Sequence, residues 1–223
     1  MPTRPILYYV TDSSSFAGDQ SSRSKLLLDK IGEAVRSGID FIQLREKGMP
    51  IPELEALTFT AVQILRDRVP SAEQVKTRLL INSRADVAIA CATDGVHLRS
   101  DDVSIEDAKE IWRPRQNSTR DPKLDQVISV SCHSVDEVKR AARDGATYSL
   151  FGPVFEKRDA SGVAAAGLEK LREACAANIP VLALGGITLQ NARECINAGA
   201  AGIAGIRLFQ ENNIEEVVRN IRF

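Results

Sequence analysis

Ile179-Pro-Val-Leu-Ala-Leu-Gly-Gly-Ile-Thr188 and the later Ala198-Gly-Ala-Ala-Gly-Ile-Ala-Gly-Ile206 decide the fold. Each contains a short apolar run bounded by glycine, which suits a strand buried on both faces better than a surface helix. Gly185-Gly186 ends the first run, and Thr188 is placed to cap the helix that follows. Glycines there let exposed backbone N–H groups approach an anion, and a helix N-terminus adds its positive dipole end. Two such strands in succession near the end of a chain match the phosphate-binding corner of a (β/α)8 barrel. The plainer alternative is a Gly-Gly pair that only makes a tight turn.

Working outward, the whole chain alternates strand and helix. Apolar runs at Ile6–Thr11, Phe41–Arg45, Arg78–Asn82, Gly95–Leu98, Val127–Ser131, Tyr148–Phe151, Pro180–Leu184 and Gly202–Ile206 read as strands. Helical patterns fall near 23–37, 51–68, 84–92, 104–112, 134–144, 165–177, 188–197 and 213–221. Ser104 with Asp107, and Ser134 with Glu137, have the three-residue spacing of a capping box. Eight βα units favour a closed TIM barrel over an open doubly wound sheet, and 223 residues suit a single barrel domain. Arg113–Gln126 reads as a loop at the bottom face, and Glu156–Gly167 as a loop at the functional top face.

Composition narrows the class. A net charge of −1 argues against a nucleic-acid surface held by bulk charge. No stretch approaches a membrane span, and Met1-Pro-Thr-Arg-Pro-Ile6 lacks the apolar region of a signal peptide. Cys91, Cys132, Cys175 and Cys195 have no CxxC spacing and read as reduced thiols in a cytoplasmic protein, not as a zinc site.

In a barrel the chemistry lies where strands end, so those ends supply the candidates. Period two puts Gln43, Arg45 and Lys47 on one side of the second strand and Leu44 on the other. Two cations and an amide at a barrel mouth form an oxyanion clamp, with arginine able to bind bidentately. The alternative is a solvated charge cluster with Glu46 as its counter-ion. The chain has two histidines, and both fall at strand ends. His133, just before a capped helix, is the candidate proton carrier. His97, within Gly95-Val-His-Leu98, also reads as a packed residue bonded to backbone.

Seven segments together resemble the thiamine phosphate synthase/TenI superfamily: Tyr9-Val-Thr-Asp12, Gln43-Leu-Arg-Glu-Lys47, Leu80-Ile-Asn-Ser-Arg84, Asp94-Gly-Val-His-Leu98, Val130-Ser-Cys-His-Ser134, Leu150-Phe-Gly-Pro-Val-Phe155 and Ala183-Leu-Gly-Gly-Ile187. The resemblance covers essentially the whole chain in order. It implies a homodimeric TIM barrel whose top face handles a small phosphorylated thiazole. Synthase members join that phosphate to an aminopyrimidine pyrophosphate with Mg²⁺; TenI members include a metal-free thiazole tautomerase.

Carried over by resemblance, Gln43, Arg45, Lys47 and Asn82 match the group holding the pyrimidine pyrophosphate. Asp102 matches a magnesium ligand, and Ser131 a polar residue at the site. Gly185, Gly186, Gly205 and Ile206 match the phosphate cup, where Arg207 replaces the usual serine. The second magnesium carboxylate is replaced by Ser83, which reads locally as an N-cap for the helix through Ala85–Cys91. Lys157-Arg158-Asp159-Ala160 replaces the synthase's Thr-x-Thr-Lys grip. These departures, with a TenI-like Tyr148–Glu156 strand and His133 as acid–base residue, tilt the reading to a tautomerase. Thiamine phosphate synthase is the alternative, and a non-catalytic ligand-binding regulator the third.

Overall fold

Side chains alternate in and out along each strand, and in the computed structural model that alternation closes a barrel. The structure describes residues 4–67, 76–112, 126–156 and 164–222. The strands are β1 (Ile6–Val10), β2 (Phe41–Leu44), β3 (Arg78–Asn82), β4 (Gly95–Leu98), β5 (Val127–Cys132), β6 (Tyr148–Phe151), β7 (Val181–Leu184) and β8 (Gly202–Gly205). They pair in parallel in chain order, and β8 returns to β1 with Ile6 opposite Gly202 and Tyr9 opposite Gly205. The expected (β/α)8 TIM barrel is therefore the fold.

Helices cover the outside: α1 (Gln20–Arg36), α2 (Ile51–Arg66), α3 (Ala85–Ala90), α4 (Ile105–Trp112), α5 (Val135–Asp144), α6 (Gly167–Cys175), α7 (Ala192–Asn197), α8 (Arg207–Gln210) and α9 (Ile214–Arg222). Leu44, Leu79, Ile81, Val96, Ile128, Val181 and Ile203 point outward into the large core shared with these helices. Tyr8, Phe41, Leu80, Val127, Leu150 and Leu182 point inward and fill the lower barrel. Each such aliphatic side chain, fully withdrawn from water, contributes about 1.5–3 kcal/mol.

Parity then places polarity. On β2 and its exit the inward series runs Phe41, Gln43, Arg45; on β3 it runs Leu80, Asn82. On β5 it runs Val127, Ser129, Ser131, His133. An apolar floor thus gives way to a polar mouth at the strands' C-terminal ends.

The capping boxes form in part. Ser134 Oγ accepts from the Glu137 N–H at 3.2 Å and Ser104 Oγ from the Asp107 N–H at 3.0 Å. The return contacts differ from a standard box: Glu137 reaches the His133 N–H (2.6 Å), and the Ser104 hydroxyl donates to Asp107 (2.7 Å). Thr188 does not cap α7 directly. It closes a turn with Asn191, whose side-chain oxygen accepts from the Thr188 N–H at 2.8 Å, and α7 starts only at Ala192. That extra turn lengthens the loop above β7. The expected bottom loop falls almost wholly, and the Lys157–Ala160 segment entirely, outside the described residues.

Candidate functional site

One cavity of about 850 Å³ opens at the C-terminal ends of the strands. Gln43, Arg45, Lys47, Asn82, Ser131 and His133 line one part of it; Gly185, Gly186, Gly205 and Ile206 line another. The structure therefore brings together all the expected residues except Asp102, which is not among the lining residues although its neighbours Arg99, Ser100 and Asp101 are.

The glycine corner is shaped by sterics. Gly185 and Gly186 have φ of 94° and 65°, a region other residues avoid. A Cβ on Gly186 would lie 2.6 Å from the Glu156 carbonyl oxygen and 2.7 Å from Phe155 Cβ. Asn191 Nδ2 donates to the Gly186 carbonyl at 3.0 Å, which fixes the turn. Beside it, β8 runs into the four-residue α8, an element absent from the sequence-based reading. A loop after the seventh strand and a short extra helix after the eighth is how barrels of this type hold phosphate. Gly186→Val is expected to weaken inorganic phosphate binding by about tenfold or more, since such overpacking displaces the loop. Titration calorimetry checks this, and unchanged affinity would separate the corner from anion binding.

The β2 end is held by Thr11. Its hydroxyl accepts from the Arg45 N–H (3.1 Å) and donates to Glu46 (2.5 Å), whose second oxygen accepts from the Ser13 N–H (2.8 Å). Glu46 is thus bound to the β1 exit, and the carboxylate facing Arg45 is Asp12 at 3.7 Å. The alternative reading, with Glu46 as counter-ion, is corrected accordingly. Arg45 Nη1 is buried with no hydrogen-bond partner, as is Gln43 Oε1. Buried polar atoms left in this state point to a ligand or water that completes them.

From Gln43 a hydrogen-bond path crosses three strands. Gln43 Nε2 donates to Asn82 Oδ1 (2.8 Å), Asn82 Nδ2 to Ser83 Oγ (2.9 Å), and the Ser83 hydroxyl to Asp102 Oδ2 (2.6 Å). Ser83 has φ 61° and does not cap α3, whose N-cap is Arg84 without a side-chain bond. Its hydroxyl is instead spent on the carboxylate. Asp102 Oδ2 also accepts from the Arg99 N–H at 2.7 Å.

The two histidines differ more than their sequence contexts imply. His133 is exposed and lines the cavity, and its Nδ1 bonds the Gly152 carbonyl at 2.6 Å, so Nδ1 carries a proton. His97 is buried and also lines the cavity. Its ring bonds hydroxyls and not backbone: Nδ1 to Ser129 Oγ (2.9 Å) and Nε2 to Ser131 Oγ (2.8 Å). Burial pushes its pKa down to about 3, so the ring is neutral at physiological pH. Arg99 is a cavity cation that sequence reasoning passed over; its period-two relation to His97 was the available signal.

A closed barrel whose strand ends bring a glycine corner and a cationic second-strand exit into one cavity has the architecture of the (β/α)8 enzymes. More closely, a family model for thiamine monophosphate synthase (TMP-TENI) matches residues 7–209, and the chain belongs to that family. A thiamine-phosphate synthase of Chlorobium luteolum is 34% identical over 99% of this chain and 92% of its own length. One of Roseiflexus castenholzii is 36% identical over 91% of this chain and 80% of its own. The solved thiamine phosphate pyrophosphorylase of Pyrococcus furiosus superposes with a TM-score of 0.75 at 29% identity, covering 97% of this chain and 94% of that one. The chain is a thiamine-pathway enzyme. No helix among the described residues is long and apolar enough to cross a membrane.

Proposed function

We propose that this enzyme is a thiamine phosphate synthase, joining a thiazole phosphate to an aminopyrimidine pyrophosphate. The observation that carries the reading is the pairing of two anion-binding places in one cavity. The Gly185/Gly186 and Gly205/Ile206 corner suits a phosphate monoester. The Gln43–Arg45–Lys47 end suits a pyrophosphate. A tautomerase needs only the first. The names of the relatives also weigh for the synthase, against the tilt toward a tautomerase drawn from Ser83 and the altered 157–160 segment.

In this reading the carbon–oxygen bond to pyrophosphate breaks, the leaving group carries off the electron pair, and the thiazole takes its place. Arg45 and Lys47 stabilise the separating pyrophosphate, and the glycine corner orients the thiazole phosphate. The buried Gln43 Oε1 is positioned to accept a hydrogen bond from the pyrimidine's amino group.

Among the described residues no cluster of three or more His, Cys, Asp or Glu could hold a metal. Mg²⁺ is nevertheless commonly bound by one carboxylate plus substrate phosphates. Asp102 would hold the ion through Oδ1, since Oδ2 is occupied by Ser83 and the Arg99 N–H; Oδ1 lies 3.7 Å from Arg99 Nε, which would have to turn aside. Bound there with pyrophosphate, the ion would neutralise leaving-group charge.

Purified protein given both substrates and Mg²⁺ is expected to form thiamine phosphate. Ser83→Asp supplies the second carboxylate at a left-handed position that aspartate tolerates, and is expected to lower the half-saturating Mg²⁺ concentration about tenfold. Aromatisation of the non-aromatic thiazole carboxylate phosphate without metal, lost in His133→Ala and with no thiamine phosphate formed, would instead establish the tautomerase.

A further inference from the structure

We propose that Tyr8, Ser129 and His97 form a one-way hydrogen-bond chain that holds the Ser131 hydroxyl as a donor facing the cavity, so that His97 is a positioning residue selecting an acceptor atom of the substrate there. The inference rests on the proposed use of the cavity as the substrate site.

The chain starts in the barrel floor. Tyr8 is fully buried among Phe41, Leu80 and Leu150, and its hydroxyl contacts Ser129 Oγ at 3.0 Å. Ser129, also fully buried, contacts His97 Nδ1 at 2.9 Å, and His97 Nε2 contacts Ser131 Oγ at 2.8 Å. Ser131 is half-buried and lines the cavity. Parallel register makes the alignment, with His97 opposite Ser129 on adjacent strands.

Proton counting sets the direction. Among the described residues the Tyr8 hydroxyl has Ser129 as its one hydrogen-bond partner. If Tyr8 donates, Ser129 donates to Nδ1, the ring carries its proton on Nε2 and donates to Ser131 Oγ. Every buried hydrogen then has an acceptor, and the Ser131 hydrogen is left for the cavity. In the reverse direction the Tyr8 hydrogen has no acceptor in an apolar floor. A doubly protonated ring strands the Ser129 or Tyr8 hydrogen in the same way. A stranded buried donor disfavours either alternative by about 5- to 100-fold.

A donor at Ser131, in the cavity that Arg45 and Arg99 also line, fits an anionic oxygen of the substrate and disfavours an amine. Its hydrogen bond strengthens as charge grows on that oxygen, so its loss falls on kcat more than on KM.

The test uses the full chain with isotope-labelled histidine, the His133 signals being identified with a His133→Gln variant. The nitrogen spectrum is expected to show His97 neutral and protonated on Nε2; a proton on Nδ1, or on both nitrogens, would overturn the proposal. In turnover, His97→Leu is expected to lower kcat about tenfold or more with KM changed less than about threefold. His97→Gln, whose amide can donate to Ser131, is expected to recover most of that loss. Equal losses in both variants would reject the positioning role. Should His97→Leu not fold, the wild-type tautomer decides alone. A failed synthase assignment shows separately, as wild-type protein making no thiamine phosphate while the tautomer stays readable.

Discussion

Arg45→Ala is expected to lower kcat/KM for thiamine phosphate formation by about 10²–10³-fold, the usual cost of removing one pre-positioned group that meets developing charge. The Arg45 backbone is pinned by the Thr11 hydroxyl, and Nη1 is buried without a hydrogen-bond partner. Among the described residues its one acidic neighbour at ion-pair range is Asp12, at 3.7 Å, too far to neutralise the guanidinium fully. Lys47 is exposed and keeps charge without a planar fork. Arg45→Lys is therefore expected to recover only part of the loss. Steady-state kinetics with the pyrimidine pyrophosphate varied checks this. A loss below about tenfold would place the leaving group elsewhere in the cavity.

At the opposite end of the barrel, Asp40→Ala is expected to cost about 3 kcal/mol of stability. Asp40 precedes β2, and one oxygen accepts both the Leu7 N–H (2.8 Å) and Arg222 Nη2 (2.5 Å). The other oxygen meets Arg4 at 2.5 Å. The residue thus joins β1, β2 and α9 where the barrel closes. Truncation would leave the Arg222 guanidinium, 7% exposed, without its carboxylate and the Leu7 amide without its acceptor. Arg222 keeps the Gly38 carbonyl at 2.9 Å, which holds the loss to the lower part of the buried-pair range. Thermal unfolding is expected to drop by about 6–12 °C. Turnover at 25 °C should be unchanged, because Asp40 lies a barrel length from the cavity. A shift under about 2 °C would show that the closure is held by packing alone.

The elements that could be read in advance are those with a local signature. β2 was legible because Gln43, Arg45 and Lys47 alternate with Leu44, and the cavity receives the first three while the outer core receives the last. The glycine corner was legible because few other reasons place Gly185 and Gly186 together after an apolar run. Ser83 was misread as a cap because serine before a helix usually is one. Its left-handed backbone turns the hydroxyl toward Asp102, a residue 19 positions on. The hydroxyl partners of His97 were hidden because they are distant in sequence, Ser129 lying 32 residues away.

From sequence alone came the eight βα repeats, the inward and outward parity of each strand, and the family. The repeats and the parity follow from backbone periods and local sterics, which each residue shares only with its near neighbours, and the family from the resemblance of seven motifs in order. Tertiary structure alone decided that Glu46 serves the β1 exit, that Asp102 is occupied by Ser83, and that the two histidines are set apart as one buried and one open ring. These depend on which residues stand opposite one another once the barrel closes, such as Asn82 against His97 and His97 against Ser129. That register is a property of the closed sheet, set by packing among all eight strands and written in no single stretch of the chain.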